Sequence, residues 1–520
     1  MSNNIVNLFL DNAIKYPDKI AIASINNALT YADLADKVRN FAGLLLAKNI
    51  KKGDRIFVMT GASTDLYVIL LAIFYIGATC IFVDPLRLRK HMDQILNNAD
   101  CKALITNHLY YIPVMLYKSI RNIPVKLFAN CISQITNADI DPEIAEVKDT
   151  DTALVVYTSG TTGQPKAADR THRFLREQHK ALDLYIKIHP DEVDMNIYPV
   201  YMLHNLASGA STIMTGFKPA SAKLFNPDRV FSQIEKYQVS RITASPAFCH
   251  KLALYSKQRG VPESLKKLVI GGAPLYKSQT MAIQKVFGNQ DILIAYGSTE
   301  VEPVSVISFD YYQSFLNNTD VTAIPAGRPV ETLDIRIIDT EKFFLDAETV
   351  SDFDYSASGE GQAGEIVVSG PHVLENYYNM PYSQGYSMFK VQGKNWLRTG
   401  DRGYFDQDGN LFLTGRVSNC FVCKGRLMDV YQVERVLEEV EGVNAGTVIE
   451  IDGSLILVIE KDSEGRMNID ALKEKLSEID LHYDYLLFEK VLPKDLRHAS
   501  RIDYERLINK YKTKLPSKGN

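Results

Sequence analysis

The sequence predicts an α/β protein. A large N-terminal part of several subdomains carries layered, mostly parallel sheets, and a small, mobile α+β domain follows it. Three observations lead there. Short apolar strands alternate with helical patterns through the first 400 residues, as parallel βαβ layers require. Near Gly415 the alternation gives way to hairpin turns and an amphipathic helix. A chain of 520 residues also exceeds what one hydrophobic core serves and allows about two to four domains.

The elements follow in order. Residues 31–47 carry apolar side chains near helical spacing, with Thr30 as N-cap. Residues 55–59, 103–106, 152–157, 241–244, 267–270 and 291–295 read as short apolar strands. Residues 66–83 (LYVILLAIFYIGATCIFV) run for 18 positions without a charge, the lower edge for a membrane span. Gly77 interrupts that run, and β-branched and aromatic residues follow it up to Asp84-Pro85. The pattern predicts helix, turn and buried strand, not a transmembrane protein. Residues 364–370 and 411–413 read as later strands, the second entered through an Asp408-Gly409 turn. Past Gly415, apolar residues at 430, 433, 436, 437 and 440 mark a helix. Residues 447–451 and 454–459 flank a second hairpin turn at Asp452-Gly453. The expected division is 1–414 and 415–520.

Charge narrows the partners. Lys plus Arg total 58 and Asp plus Glu total 62, a net charge of −4. Nucleic-acid binding by global charge is excluded, but a local basic pocket for one small anion is not. Six scattered cysteines and an N-terminus without a basic-then-apolar leader favour the cytoplasm. Cys420-Phe-Val-Cys423 has the spacing of half a zinc site, but no second pair completes it. The two are read as ordinary thiols.

The most informative stretch is Tyr157-Thr-Ser-Gly-Thr-Thr-Gly-Gln-Pro-Lys166. Thr158, Ser159, Thr161 and Thr162 surround Gly160 and Gly163, and Lys166 closes the loop. Glycines let backbone N–H groups approach an anion, hydroxyls add donors, and the lysine adds charge. A polyphosphate fits that set, although the common GxxxxGK[ST] loop is absent.

This loop resembles the signature of the adenylate-forming superfamily of acyl-CoA synthetases, peptide-synthetase adenylation domains and luciferases. Gly271-Gly-Ala-Pro-Leu275 resembles its adenine-side loop, and Tyr296-Gly-Ser-Thr-Glu300 its Tyr-Gly-x-Thr-Glu motif. Arg398-Thr-Gly-Asp401, with Gly403-Tyr404 and Asp406, resembles its ribose-binding motif; Gly415-Arg416 resembles the start of its hinge. The resemblance implies that a carboxylate attacks the α-phosphate of ATP, giving an acyl-adenylate and pyrophosphate. It assigns Thr158, Lys166, Glu300 and Arg501 to catalysis, with Glu300 also touching Mg²⁺. Ser159 to Gly163, Gly272, Ala273, Pro274, Tyr296, Gly297, Ser298, Thr299, Asp401 and Arg416 would hold the nucleotide. Tyr201, His204 and Ser245 would line the acid pocket. Residues 198–210 contain no carboxylate to hold an ammonium, which favours a fatty or other apolar acid over an amino acid. The implied acceptor is CoA or a phosphopantetheinyl acyl carrier protein.

Finer likeness, in residues 81–85, 198–201, Ser245-Pro246, 296–303 and Arg497-His498, resembles the branch that includes olefin-pathway β-lactone synthetases. There a β-hydroxy acid displaces AMP internally, without a thiol. Three positions depart from the family. Ser418 and Val422 stand where its hinge has aspartate and lysine, and Arg501 stands where a Gly-Lys-Ile-like element has its catalytic lysine. Arg501 keeps the charge as a bidentate fork, with Lys494 as an alternative. These departures also motivate a different class, a nucleotide-binding relative without catalysis.

Overall fold

The computed structural model describes residues 3–83, 89–133, 140–159, 165–215, 226–318, 322–339, 361–379, 387–462, 467–495, 500–512 and 514. The first layer is a six-stranded sheet. Its order is Val125–Phe128, Ala103–Thr106, Arg55–Met59, Thr79–Phe82, Thr152–Ser159 and Pro165–Thr171. The first five strands are parallel, and the last returns as a hairpin. The uncharged run at 66–83 forms the end of helix Thr64–Tyr75, a turn at Gly77 and strand Thr79–Phe82. Every residue of that helix except Asp65 is buried, so its apolar girth faces protein. No helix among the described residues is long and apolar enough to cross a membrane.

Helix Tyr31–Ala47 starts where the sequence places it. Thr30 accepts from the Asp33 N–H at 3.0 Å, and Asp33 accepts from the Thr30 N–H at 3.1 Å. That reciprocal cap satisfies two otherwise orphaned donors.

The second sheet has 14 strands. Ile20–Ala23, Ser211–Met214, Val193–Asn196, Arg241–Ala244, Lys267–Gly271 and Asp291–Ser298 pair in parallel. From Val301–Ser308 onward the pairs are antiparallel. The expectation of mostly parallel sheets therefore covers the first sheet and this half of the second. In the other half two pairs, Asp291–Ser298 with Val301–Ser308 and Lys394–Phe405 with Leu411–Arg416, are joined by short hairpin returns, which only antiparallel strands permit. Gly403 sits at a register shift between Lys394–Phe405 and Leu411–Arg416, where a Cβ would lie 2.2 Å from the Phe412 carbonyl oxygen. Only glycine lets the strands close there.

Strand Leu411–Arg416 runs through the expected boundary and ends at Arg416. Beyond it lie the hairpin Phe421–Cys423/Arg426–Met428, helix Val430–Leu437, and a sheet of Val443–Ile451, Ser454–Lys461 and Tyr485–Glu489. The first hairpin turns on Lys424 (φ 50°) and Gly425 (φ 79°), the two left-handed residues of a primed two-residue turn. Two buried clusters, around Leu457 and Ile456, draw their buried members only from residues 421–511.

Candidate active site

Strand Pro165–Thr171 carries Lys166 away from the phosphate-type loop. Gly160 to Gly163 lie outside the described residues, as do the side chains of Thr158 and Ser159. The Lys166 ammonium donates to the Ser387 hydroxyl and lies 5.6 Å from the Tyr377 ring centre. Burial lowers its pKa, and the nearby Glu300 and Glu365 carboxylates oppose that.

Glu300 sits at a hairpin tip, because Ser298 pairs with Val301 and leaves Thr299-Glu300 as the turn. Its carboxylate accepts from the Ser298 hydroxyl at 3.1 Å. The tip is pinned twice: Arg170 donates to the Thr299 carbonyl at 2.6 Å, and Leu374 N–H donates to the Glu300 carbonyl at 2.8 Å. A fixed backbone with a lightly held carboxylate suits a group that must meet a cation.

Asp401 organises the other end. Its Oδ2 accepts from the Tyr296 hydroxyl at 2.8 Å, and its Oδ1 lies 2.9 Å from Arg416 Nε. Its own N–H donates to Thr399 Oγ1 at 3.1 Å. The Asp401 carboxylate raises the pKa of Arg416, so that guanidinium is firmly charged. A carboxylate has about four acceptor sites, so each oxygen keeps one for a further donor. Beneath it, Arg398 and Glu365 form a buried ion pair with Nε–Oε2 2.8 Å. Asp406 serves differently from the motif it extends: its Oδ1 accepts from Asp408 N–H at 3.0 Å and Asn410 N–H at 2.8 Å, shaping the turn.

The adenine-side loop leaves Lys267–Gly271 with Gly272 at φ 83°. The Tyr198 hydroxyl donates to the Gly271 carbonyl at 2.8 Å and ties this loop to the start of helix Pro199–Ser208. Gly297 is held close to the neighbouring strand, where a Cβ would lie 3.0 Å from the Val301 carbonyl oxygen.

The three expected acid-pocket residues separate. Tyr201 is buried against Leu182, Val269 and Ala295 and is hydrogen bonded to Glu302. Ser245 is fully buried and caps helix Pro246–Arg259 by accepting from the Phe248 N–H at 3.4 Å. His204 lines an apolar cavity, and its Nδ1 lies 2.9 Å from that of His179. Burial holds both imidazoles below their usual pKa, His204 far below. His204 Nε2 and the Gln178 amide nitrogen are buried without a hydrogen-bond partner. Such an atom costs about 1–3 kcal/mol when left unpaired.

Among the described residues, the C-terminal part contacts the N-terminal part through the Arg402–Asp429 ion pair, through Arg435 and the Leu316 carbonyl, and at two places nearer this region. Ser500 Oγ accepts from the Ala247 N–H at 3.2 Å, next to the Ser245 cap. Arg501 is held by its backbone, N–H to Asp495 Oδ1 at 3.1 Å. Its Nε is buried without a partner, and its charge acts on Tyr431, whose phenol burial pushes up to about 12. Arg497-His498 lie outside the described residues. The second place is a carboxylate latch. Glu434 accepts from the Tyr276 and Tyr504 hydroxyls and from Thr447 Oγ1 at 2.8 Å. Glu438 accepts from Lys277 N–H at 3.0 Å and Ser278 Oγ at 3.3 Å, at the start of helix Lys277–Phe287. Carboxylates suit the positive end of a helix.

Cys420 donates to Asp429 Oδ1 at 3.0 Å, whereas Cys423 accepts from His482 N–H at 3.3 Å. The two sulfurs thus serve separate neighbours. The motifs did not reveal Tyr377, Ser387, Arg170, Tyr431 or the Glu434–Glu438 latch, which become neighbours of the site only through tertiary contacts.

The Asp401 carboxylate, bonded by Tyr296 and paired with Arg416, keeps acceptor capacity for a polar ligand. A family model described as AMP-binding enzyme matches residues 9–378. An olefin beta-lactone synthetase of Stenotrophomonas maltophilia is 25% identical, covering 94% of this chain and 95% of that one. A 2-succinylbenzoate–CoA ligase of Bacillus cytotoxicus is 25% identical over 83% of this chain and 82% of its own. The Bacillus subtilis O-succinylbenzoate coenzyme A synthetase, solved with ATP and magnesium ion, matches with a TM-score of 0.77 at 21% identity, covering 96% of this chain and 99% of that chain. The chain belongs to the AMP-binding enzyme family. It is an adenylate-forming acid ligase of the acyl-CoA-synthetase type.

Proposed function

We propose that the protein activates a fatty or similarly apolar carboxylic acid with ATP and Mg²⁺, then passes the acyl group to a thiol of CoA or of an acyl carrier protein. The observation that carries this is the Tyr296–Asp401–Arg416 cluster, a ribose reader with acceptor sites to spare. The residues fit the nucleotide further, because the orphaned Arg501 Nε asks for an anionic oxygen. Among the described residues no group of three His, Cys, Asp or Glu side chains gathers for a metal. Mg²⁺, when bound, offsets triphosphate charge, and Glu300 is the carboxylate that would meet it.

In this reading Asp401 holds the ribose hydroxyls and Lys166 and Arg416 draw the phosphates in. Arg501 lies over the carboxylate and α-phosphate oxygens and lowers their repulsion. The acid oxygen bonds to the α-phosphorus, and the bond to the β-phosphate bridging oxygen breaks with its electron pair leaving on pyrophosphate. Arg501 acts only with the C-terminal part docked, which Glu434 and Glu438 secure.

The test is a panel of acids with MgATP, read by mass spectrometry for adenylate, thioester or lactone. Acid-dependent pyrophosphate release and a thioester on adding CoA or carrier are expected. AMP release with a lactone and no thiol favours internal ring closure. Nucleotide binding without pyrophosphate release for any acid overturns the catalytic reading.

A further inference from the structure

The adenine-side loop is fixed at both ends by tyrosine hydroxyls. Tyr198 donates to the Gly271 carbonyl at 2.8 Å, and Tyr312 donates to the Leu275 carbonyl. The first of these ends lies beside the Asp401 cluster. Gly271 pairs with Ala295 across neighbouring strands, and the next residue, Tyr296, reaches Asp401 with its hydroxyl. The position of Tyr198 therefore sets where the loop leaves the sheet next to that cluster.

Tyr198 is itself held by a buried polar network. Its N–H donates to Asn196 Oδ1 at 2.7 Å, and Asn196 Nδ2 donates to Asp194 Oδ2 at 2.9 Å. Oδ2 also accepts from Asn205 Nδ2 at 2.8 Å, and Oδ1 accepts from Thr243 Oγ1 at 2.9 Å. Asn205 lies in the last turn of helix Pro199–Ser208, so one carboxylate holds that helix from both ends. Asp194, Asn205 and Arg241 are 0% exposed and Asn196 is 1% exposed. Arg241 Nε is 3.9 Å from Asp194 Oδ1, and its other nitrogens donate to the Ile186 and Lys187 carbonyls at 3.0 and 2.9 Å. An ionised carboxylate only accepts, which matches three donors and one cation. A buried charge set of this kind adds little net stability over apolar packing. What it fixes is direction, because each buried amide is oriented by its bonds.

We propose that Asp194 is a positioning residue for nucleotide binding: it orients Asn196, Asn196 places the Tyr198 backbone, and the Tyr198 hydroxyl places Gly271 and the loop after it. Asp194 and Asn196 lie outside every motif of the sequence. The inference rests on the nucleotide-binding half of the proposed function, in which the loop at Gly272 borders the base, and adds to it a fully buried residue.

The experiment uses the full-length protein with Asp194→Asn, with Tyr198→Phe and with both. Asp194→Asn turns one acceptor into a donor at the centre of the network, and Tyr198→Phe removes only the hydroxyl on Gly271. Calorimetry gives the Kd for MgATP and MgGTP, and ATP–pyrophosphate exchange gives KM and kcat. Each single variant should weaken MgATP binding and raise KM about 5-fold, with kcat and MgGTP binding within about 2-fold of the parent. The double variant should lose about as much as the weaker-binding single variant, not the roughly 25-fold of independent effects. If Asp194→Asn does not fold, Asn196→Ser takes its place, because serine keeps an acceptor for the Tyr198 N–H but is too short to reach Asp194. A lower Tm with unchanged KM and unchanged preference for ATP over GTP makes the network structural only and overturns the proposal. A multiplied loss in the double variant also overturns it, since the two residues then act separately. Weakened ATP binding by the variants of a protein that shows no pyrophosphate exchange keeps the positioning role and removes acid activation; exchange with ATP affinity unmoved by the variants does the reverse.

Discussion

The Asp401 cluster and the cavity beside His204 are both polar constructions in an apolar interior, finished to different degrees. At the Asp401 cluster each carboxylate oxygen already has a partner, in Tyr296 and Arg416. At the cavity a histidine and a glutamine each keep one nitrogen unpaired. Arg501, on the C-terminal side, resembles the cavity: its backbone is anchored and its Nε is not. The paired end is pre-organised and gives up little when a ligand arrives. The unpaired groups hold a cost that a ligand relieves, so they contribute more to discrimination.

The largest expected effect comes from breaking the finished end. Asp401→Ala strands Arg416 and Tyr296 together, and removal of one partner from a largely buried pair should lower kcat/KM for ATP on the order of 100-fold. ATP–pyrophosphate exchange measures it. A loss under about 5-fold would mean that this carboxylate is structural.

Arg501→Ala comes next. It should slow ATP–pyrophosphate exchange about 30-fold while leaving hydrolysis of preformed adenylate within about 3-fold. Removing charge from the forming bond has that signature; a collapsed docking would slow both. Equal exchange in variant and parent removes Arg501 from the mechanism.

These two residues also show what a sequence discloses. Around Asp401 the motif shows only the local part: Thr399 lies two residues before it and Arg416 faces it from the neighbouring strand, whereas Tyr296 reaches it from a strand further along the sheet. The strand limits were legible for the same local reason: residues 55–59, 103–106 and 241–244 are apolar runs between breakers and form strands with those bounds. The direction of the second sheet past Val301 was not, since strand pattern does not encode pairing partners. Neither was the divergence of Tyr201, Ser245 and His204, three side chains near one helix pair that face a sheet, a helix cap and a cavity. Ser245 shows why: a serine before Pro246 reads equally as pocket lining and as N-cap, and the buried backbone N–H of Phe248 decides it. The latch was hidden because Glu434 and Glu438 look like the solvated face of an amphipathic helix until helix Lys277–Phe287 packs on them.

A smaller effect tests how finished the Asp401 cluster is. Tyr296→Phe removes one hydrogen bond to Asp401 but keeps the ring. KM for ATP should rise about 5-fold, near 1 kcal/mol, with kcat little changed. A fall in kcat with unchanged KM would move Tyr296 from binding to the chemical step.

The smallest effect separates the latch from both ends. Burial raises the Glu438 carboxyl to about 7, against hydrogen bonds from Lys277 and Ser278 that lower it. Its unfolded value is about 4.3, so the folded state binds more proton between these limits. The stability this confers is full below the unfolded value and is lost as pH rises through about 7. Asp169, raised to about 6 chiefly by burial, has the same sign. His172, lowered to about 4 by burial, has the opposite sign, and its contribution is lost as pH falls. Only a difference between proteins therefore isolates Glu438. Glu438→Gln keeps an acceptor oxygen without the charge. Between pH 5 and 8 the parent Tm should fall relative to the variant by about 2 °C. Protease cleavage near Val417 should rise with pH in the parent alone, because opening lets water solvate an ionised Glu438, whose burial cost the bonds from Lys277 and Ser278 only partly offset. Parallel Tm curves across that range would show that the carboxyl is ionised throughout and that the latch has no pH dependence.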